Sequence, residues 1–191
     1  FFPTKHLGAL GDAGLLATAD DGLAKKARML RVHGAERRDA HRLVGGNFRL
    51  DALQAAVLRV KLPHVPAWID SRRANARRYA DLFRTAGLDG IVRLPVEPPG
   101  RPHTWHQYVV RAPRRDALRA HLAARGIGTE VYYAAPLHLQ PCFAALGHRA
   151  GDFPEAERAA AEVLALPVSP ELAPEAQARV VEAMAEFYRG A

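Results

Sequence analysis

Three glycines follow a single lysine within the first fourteen residues, Phe1-Phe2-Pro3-Thr4-Lys5-His6-Leu7-Gly8 and then Gly11-Asp12-Ala13-Gly14. Pro3 fixes one dihedral, and the glycines let the chain turn where bulkier residues cannot. The pattern predicts the tail of a strand that ends in a tight turn carrying Lys5. A lysine set among apolar and glycine residues is expected to be desolvated. Desolvation lowers an amine's pKa from about 10.4, and the neutral amine is the form that attacks carbonyl carbon. Lys5 is therefore a candidate Schiff-base nucleophile.

The 191 residues, 49% hydrophobic and 25% charged, are those of a folded chain with room for one sizeable domain or two small ones. No apolar run approaches the roughly 20 residues of a membrane span, and no basic-then-apolar leader opens the chain. It begins without Met, on what reads as a strand tail, and is expected to be a fragment or the ordered part of something longer. One cysteine, Cys142, rules out an internal disulfide and any multi-cysteine metal site. Beside Pro141 and Phe143 it reads as a packed, inert thiol, and the cytoplasm is the expected compartment. Nine histidines show no His-x-x-x-His pair with a third ligand, so no metal is expected. The net charge of +7 invites a nucleic-acid reading. The arginines, however, alternate with acids, as in Asp70-Ser71-Arg72-Arg73 and Glu155-Ala156-Glu157-Arg158, which fits a solvated amphipathic surface. The same charge suits a substrate carrying a diphosphate.

Along the chain, Leu15 to Thr18 reads as a short strand. Asp20-Asp21 caps a helix that carries Leu23, Ala27 and Leu30 and stops at His33-Gly34. An arginine-rich loop is expected as far as Leu43. Gly45-Gly46-Asn47-Phe48-Arg49-Leu50 leads to Asp51, the cap of a helix with Leu53, Val57 and Val60 on one face. A helix from Ala67 to Thr85 follows Pro63 and Pro66, and a loop runs from Pro95 to Pro102. Trp105 to Arg111 reads as a strand, Arg114 to Arg125 as a helix and Gly128 to Tyr133 as another strand. A helix starts after Asp152-Phe153-Pro154-Glu155, Leu164 to Val168 forms an edge-like strand, and Pro174 opens a last helix with Val180, Met184 and Phe187 on one face. Tyr132-Tyr133-Ala134-Ala135-Pro136-Leu137-His138-Leu139-Gln140-Pro141 is a strand running into a proline-bounded loop.

Three of these segments resemble the DegT/DnrJ/EryC1/StrS family of pyridoxal-phosphate-dependent sugar aminotransferases. The opening is similar to its Ser-Phe-x-Pro-x-Lys-Asn-Leu-Gly-x-x-Gly-Asp-x-Gly segment, with His6 where asparagine is usual. Gly45 to Arg49 before Asp51-x-x-Gln-Ala-Ala resembles its Gly-x-Asn-x-Arg segment. Pro136-Leu137-His138-Leu139-Gln140-Pro141 keeps the second half of a third, with Tyr132 in place of the usual His and Ala134 in place of the usual Pro. The resemblance covers nearly the whole chain. It implies an α/β fold of the aspartate aminotransferase type (fold type I), with residues 1–70 the end of the large cofactor-binding domain and 71–191 a small α+β domain. It implies pyridoxal 5'-phosphate held by Lys5, with Asn47 bonding the cofactor phosphate of a neighbouring subunit in an obligate homodimer. Phe2, Arg49, Tyr132, Tyr133 and His138 are implied to contact the substrate, a nucleotide-diphosphate keto-sugar that receives an amine, commonly from glutamate. No nucleic-acid or membrane partner is implied, and the fragment alone is expected to be inactive. Two other readings stand beside this one. One is a dehydratase of the same family, in which histidine replaces the Schiff-base lysine. The other is a basic, non-enzymatic nucleic-acid-binding module.

Overall fold

The computed structural model describes residues 1–190 and contains two compact units, Phe1–Pro66 and a second from Ala67 onward. In the first unit the opening turn leads to α1 (Asp21–Leu30). Asp20 caps it by accepting the Leu23 N–H at 2.9 Å, which satisfies one of the donors a helix start leaves unpaired. The helix ends where His33 and Gly34 take positive φ angles of 60° and 73°. The arginine-rich stretch expected as a loop is a small hairpin, β1 (Ala35–Arg37) against β2 (Ala40–His41). Asp39 makes the turn possible by adopting φ 60°, a conformation short polar side chains tolerate. Glu36 adds an ion pair to Lys25 at 3.5 Å and another to Arg42. The strand expected at Leu15–Thr18 is not formed. Leu15 and Leu16 are exposed, and a strand needs a paired neighbour to satisfy its backbone.

Helix α2 (Ala52–Lys61) starts after Asp51, whose side chain makes no capping bond. Leu53 and Val60, expected on the packed face, are 83% and 70% exposed. The packed face carries Gln54, Leu58 and Lys61, at helical spacing i, i+4, i+7. A 3-10 turn (Leu62–His64) joins α2 to α3 (Val65–Thr85).

The second unit pairs β3 (Tyr108–Arg111) antiparallel with β4 (Val163–Leu166), Tyr108 opposite Leu166 and Arg111 opposite Val163. α3, α4 (Arg115–Ala123) and α6 (Pro174–Arg189) contribute to one core with this pair. Tyr79 and Phe83 of α3, Leu118 and Leu122 of α4, Leu164 of β4 and Met184 of α6 are fully buried. Val180 and Met184 lie on the buried face of α6 that the sequence spacing predicts. The strand expected from Trp105 begins only at Tyr108, because Trp105 itself takes φ 52°. The strand expected over Gly128–Tyr133 reduces to one bridge, Glu130 to Ala165. Its remainder turns away through 3-10 segments at Leu137–Leu139 and Pro141–Leu146. Cys142 lies on the second of these and is exposed, not packed: every residue of that turn faces solvent. Helix α5 (Pro154–Glu162) runs back into β4. Among the described residues no helix is long and apolar enough to cross a membrane, and no three metal-ligating side chains cluster.

The core encloses a polar knot. Gln177, fully buried, donates its amide to the Asn75 carbonyl at 2.9 Å and accepts from Arg78 at 2.6 Å. Asn75 in turn donates to the Ser169 carbonyl at 2.8 Å. Burial of these groups is tolerated because each is paired. Burial raises the phenol pKa values of Tyr79 and Tyr108, and the Tyr79 hydroxyl donates to the Pro167 carbonyl at 2.9 Å.

Candidate active-site residues

Lys5 sits on a turn whose backbone is tied at both ends. Its N–H donates to the Phe2 carbonyl at 2.9 Å, and the Ala9 N–H donates to the Phe1 carbonyl at 2.9 Å. The closure depends on Gly8: a Cβ there would stand 2.3 Å from the Pro3 carbonyl oxygen. Helix α2 braces the turn from its packed face. Lys61 donates to the Gly8 carbonyl at 2.6 Å, and the Gln54 side-chain oxygen accepts the Leu10 N–H at 2.8 Å. The helix therefore reaches the turn through polar groups, because what the turn offers it is backbone C=O and N–H. Gln54 and Lys61 escape a search for apolar periodicity. Their signal is the i, i+7 repeat of two polar side chains around Leu58. Lys5 itself is exposed, as are Phe2, Pro3 and Thr4, so the desolvation expected from the sequence is not supplied by these residues.

Asn47 and Arg49 meet directly: the Arg49 Nε donates to the Asn47 Oδ1 at 2.8 Å. Their loop is clamped to the end of α1. The Gly46 N–H donates to the Leu30 carbonyl at 3.0 Å, the His33 N–H to the Gly46 carbonyl at 2.9 Å, and the Phe48 N–H to the Arg31 carbonyl at 3.0 Å. Both side chains are exposed. An amine and an amide fit a phosphorylated aldehyde: the first would condense with its carbonyl, and the second would donate N–H groups to its phosphate oxygens.

In the second unit Tyr132, Tyr133 and His138 line one pocket of about 640 Å³. Pro136, Leu137 and Phe153 add apolar wall, Ala156, Ala159 and Ala160 of α5 form its small-residue side, and Gln140 is among the few polar groups. The His138 side chain is 8% exposed, and its Nε2 lies 3.0 Å from the Glu157 carboxylate. That carboxylate also accepts the Gly151 N–H at 2.9 Å and the Phe153 N–H at 3.3 Å. Partial desolvation opposes its ionisation. The Gly151 and Phe153 N–H groups and the His138 ring outweigh that penalty and hold the Glu157 pKa below the ordinary carboxylate range. The His138 ring packs on Phe153 with centroids 4.8 Å apart. Glu157 thus anchors the Tyr132–Gln140 loop to the start of α5. Sequence reading missed this role because the two residues lie 19 apart.

A profile of the DegT/DnrJ/EryC1/StrS aminotransferase family matches residues 1–185. The chain is 53% identical over 189 residues to a "pleiotropic regulatory protein" of Geobacillus stearothermophilus, covering 99% of this chain and 50% of that protein. It is 44% identical over 187 residues to the dTDP-3-amino-3,4,6-trideoxy-alpha-D-glucose transaminase of Streptomyces venezuelae, covering 98% and 48%. Among solved structures, that of S. venezuelae DesV in complex with a ketimine intermediate matches with a TM-score of 0.91 at 41% identity, over 98% of this chain and 50% of DesV. The chain spans about half the length of the curated relatives it matches. The fold class expected from the sequence, that of the pyridoxal-phosphate-dependent aminotransferases, is borne out by this likeness. With the profile matched from the lysine turn through most of α6, the chain belongs to the DegT/DnrJ/EryC1/StrS aminotransferase family.

Proposed function

We propose that the protein carrying this chain is a pyridoxal-phosphate-dependent aminotransferase that moves an amino group, with glutamate as donor, to a nucleotide-linked keto-sugar in amino-sugar biosynthesis. The observation that carries the reading is the braced turn presenting Lys5: a primary amine on a backbone held at Phe1, Phe2 and Gly8. When bound, pyridoxal phosphate supplies an electron sink that stabilises a carbanion next to nitrogen. The Lys5 Nζ would hold the cofactor aldehyde and, as a free amine, would take and return the substrate proton. Asn47 donates to the cofactor phosphate of the neighbouring subunit, so that a homodimer shares its sites. Phe2 and the loop bearing Tyr132 and Tyr133 contact the substrate, with His138 fixing that loop through Glu157. Phe1–Pro66 is then the end of the large domain, and the residues from Ala67 onward make up the small one.

A dehydratase of the same family is disfavoured because Lys5 is present and His6 is its neighbour, not its substitute. The test is an assay of the full-length enzyme against a panel of keto-sugar nucleotides with glutamate. Activity is expected, and it should be lost in Lys5→Ala. An active Lys5→Ala enzyme overturns the reading. The isolated chain, with Lys5 open to water, is expected neither to close a cofactor site nor to turn over substrate. A lysine-dependent visible absorbance with normal turnover from residues 1–191 alone would contradict this.

A further inference from the structure

An asparagine that serves as an anion ligand must present its NH2 group and not its carbonyl, because a side-chain oxygen turned toward phosphate repels it. On an exposed loop the amide is free to flip between the two. The backbone at Asn47 is already fixed by the bonds of Gly46 and Phe48 to the end of α1 and by a bridge to Val32. Tight packing reinforces it: a Cβ on Gly45 would stand 2.5 Å from the Leu30 carbonyl oxygen, and one on Gly46 2.6 Å from the Phe48 ring. What remains to be set is the side-chain amide. Arg49 does this, since its Nε can only donate, and the atom it meets at 2.8 Å must be the Asn47 oxygen.

We propose that Arg49 is a positioning residue: its Nε–H occupies the Asn47 Oδ1 and thereby turns the Asn47 NH2 outward as the donor to a phosphate. The assignment rests on the reading of Asn47 as the cofactor-phosphate ligand, and it gives Arg49 a role other than the substrate contact implied by resemblance. It also makes a chemical distinction. Glutamine carries an N–H donor the same number of bonds from the backbone as the arginine Nε, without the charge. Lysine keeps the charge but places a carbon at that position.

The test is the dissociation constant of pyridoxal phosphate for the full-length apoenzyme, read by absorbance titration, in N47A, R49M, R49Q, R49K and N47A/R49M, with the keto-sugar KM measured at saturating cofactor. N47A is expected to weaken cofactor binding about ten- to hundred-fold, the range for a hydrogen bond to a charged acceptor. R49M should weaken it about three- to thirty-fold, but less than about two-fold when Asn47 is already absent, because coupled residues are non-additive. R49Q should stay within about three-fold of wild type, whereas R49K should resemble R49M. If R49K is wild-type-like and R49Q weak, Arg49 acts by charge and the positioning role is refuted. If N47A weakens binding while R49M does not, or R49M raises only the keto-sugar KM, the positioning role fails and Asn47 stands as the ligand. If N47A leaves cofactor binding unchanged, the phosphate-ligand reading and the proposal fall together.

Discussion

Gly8→Ala is the most direct probe of how the lysine turn is built. The added Cβ would lie 2.3 Å from the Pro3 carbonyl oxygen, 2.8 Å from its carbon and 3.1 Å from the Phe2 carbonyl oxygen. Relief requires a shift of roughly 1 Å in backbone, since no flexible side-chain tip can give way. Two bonds close the turn, Lys5 to Phe2 and Ala9 to Phe1, and a third braces it from Lys61. Losing one or two, at about 1 kcal/mol each, together with about 1–3 kcal/mol of overpacking, gives a destabilisation of about 2–5 kcal/mol. A displacement of about 1 Å in the group bearing the reactive amine is expected to cost the full-length enzyme about a hundred-fold in kcat/KM. Gly14→Ala is the matched control, because a Cβ there meets nothing within 4 Å. It should be neutral or slightly stabilising. Urea unfolding of the chain and kcat/KM of the enzyme read the two effects. If Gly8→Ala matches Gly14→Ala in both, the turn is not held as described.

Leu58→Ala should cost about 2 kcal/mol in urea unfolding while Leu53→Ala stays within about 0.5 kcal/mol, because only the first lies on the buried face of α2; the reverse order would restore the apolar-face assignment. Gln177→Ala strips partners from Arg78 and from the Asn75 carbonyl inside the second unit and should cost about 2–4 kcal/mol, visible as a lower denaturant midpoint. Because the Glu157 pKa is lowered in the folded chain, its contribution is fully present above the ordinary carboxylate pKa of 4.5 and is lost as pH falls through the lowered value. Glu157→Gln should therefore flatten the acid limb of a stability–pH curve below about pH 4.5. An unchanged acid limb would show that the carboxylate is not held by Gly151, Phe153 and His138.

Much of the architecture is written in local signals. Asp20 capping α1, Pro154 and Pro174 opening α5 and α6, and the Val180 and Met184 face of α6 follow from caps and periodicity, which depend on neighbours a few residues apart. The Lys5 motif was equally legible, because the glycine spacing that closes its turn is itself local. Elements whose existence depends on a partner were read less well. Leu15–Thr18 and Gly128–Tyr133 have strand composition but lack the ladder that would make them strands, while Ala35–His41 has loop composition yet forms a hairpin. A strand is a relation between two segments, and composition describes only one of them.

The same division runs through the candidate site. By itself the sequence determined which side chains are available: one amine on a glycine turn, an Asn-x-Arg pair before a helix, and two tyrosines and a histidine leading into a proline-bounded loop. Only the tertiary structure decided what each of them touches. α2 meets the lysine turn with Gln54 and Lys61, not with Leu53 and Val60, because turn backbone demands hydrogen bonds. His138 gives its Nε2 to Glu157, and Arg49 gives its Nε to Asn47. The His138–Glu157 pairing is set by distance through space and by the need of an enclosed polar atom for a partner, and neither is encoded in the spacing of residues along the chain.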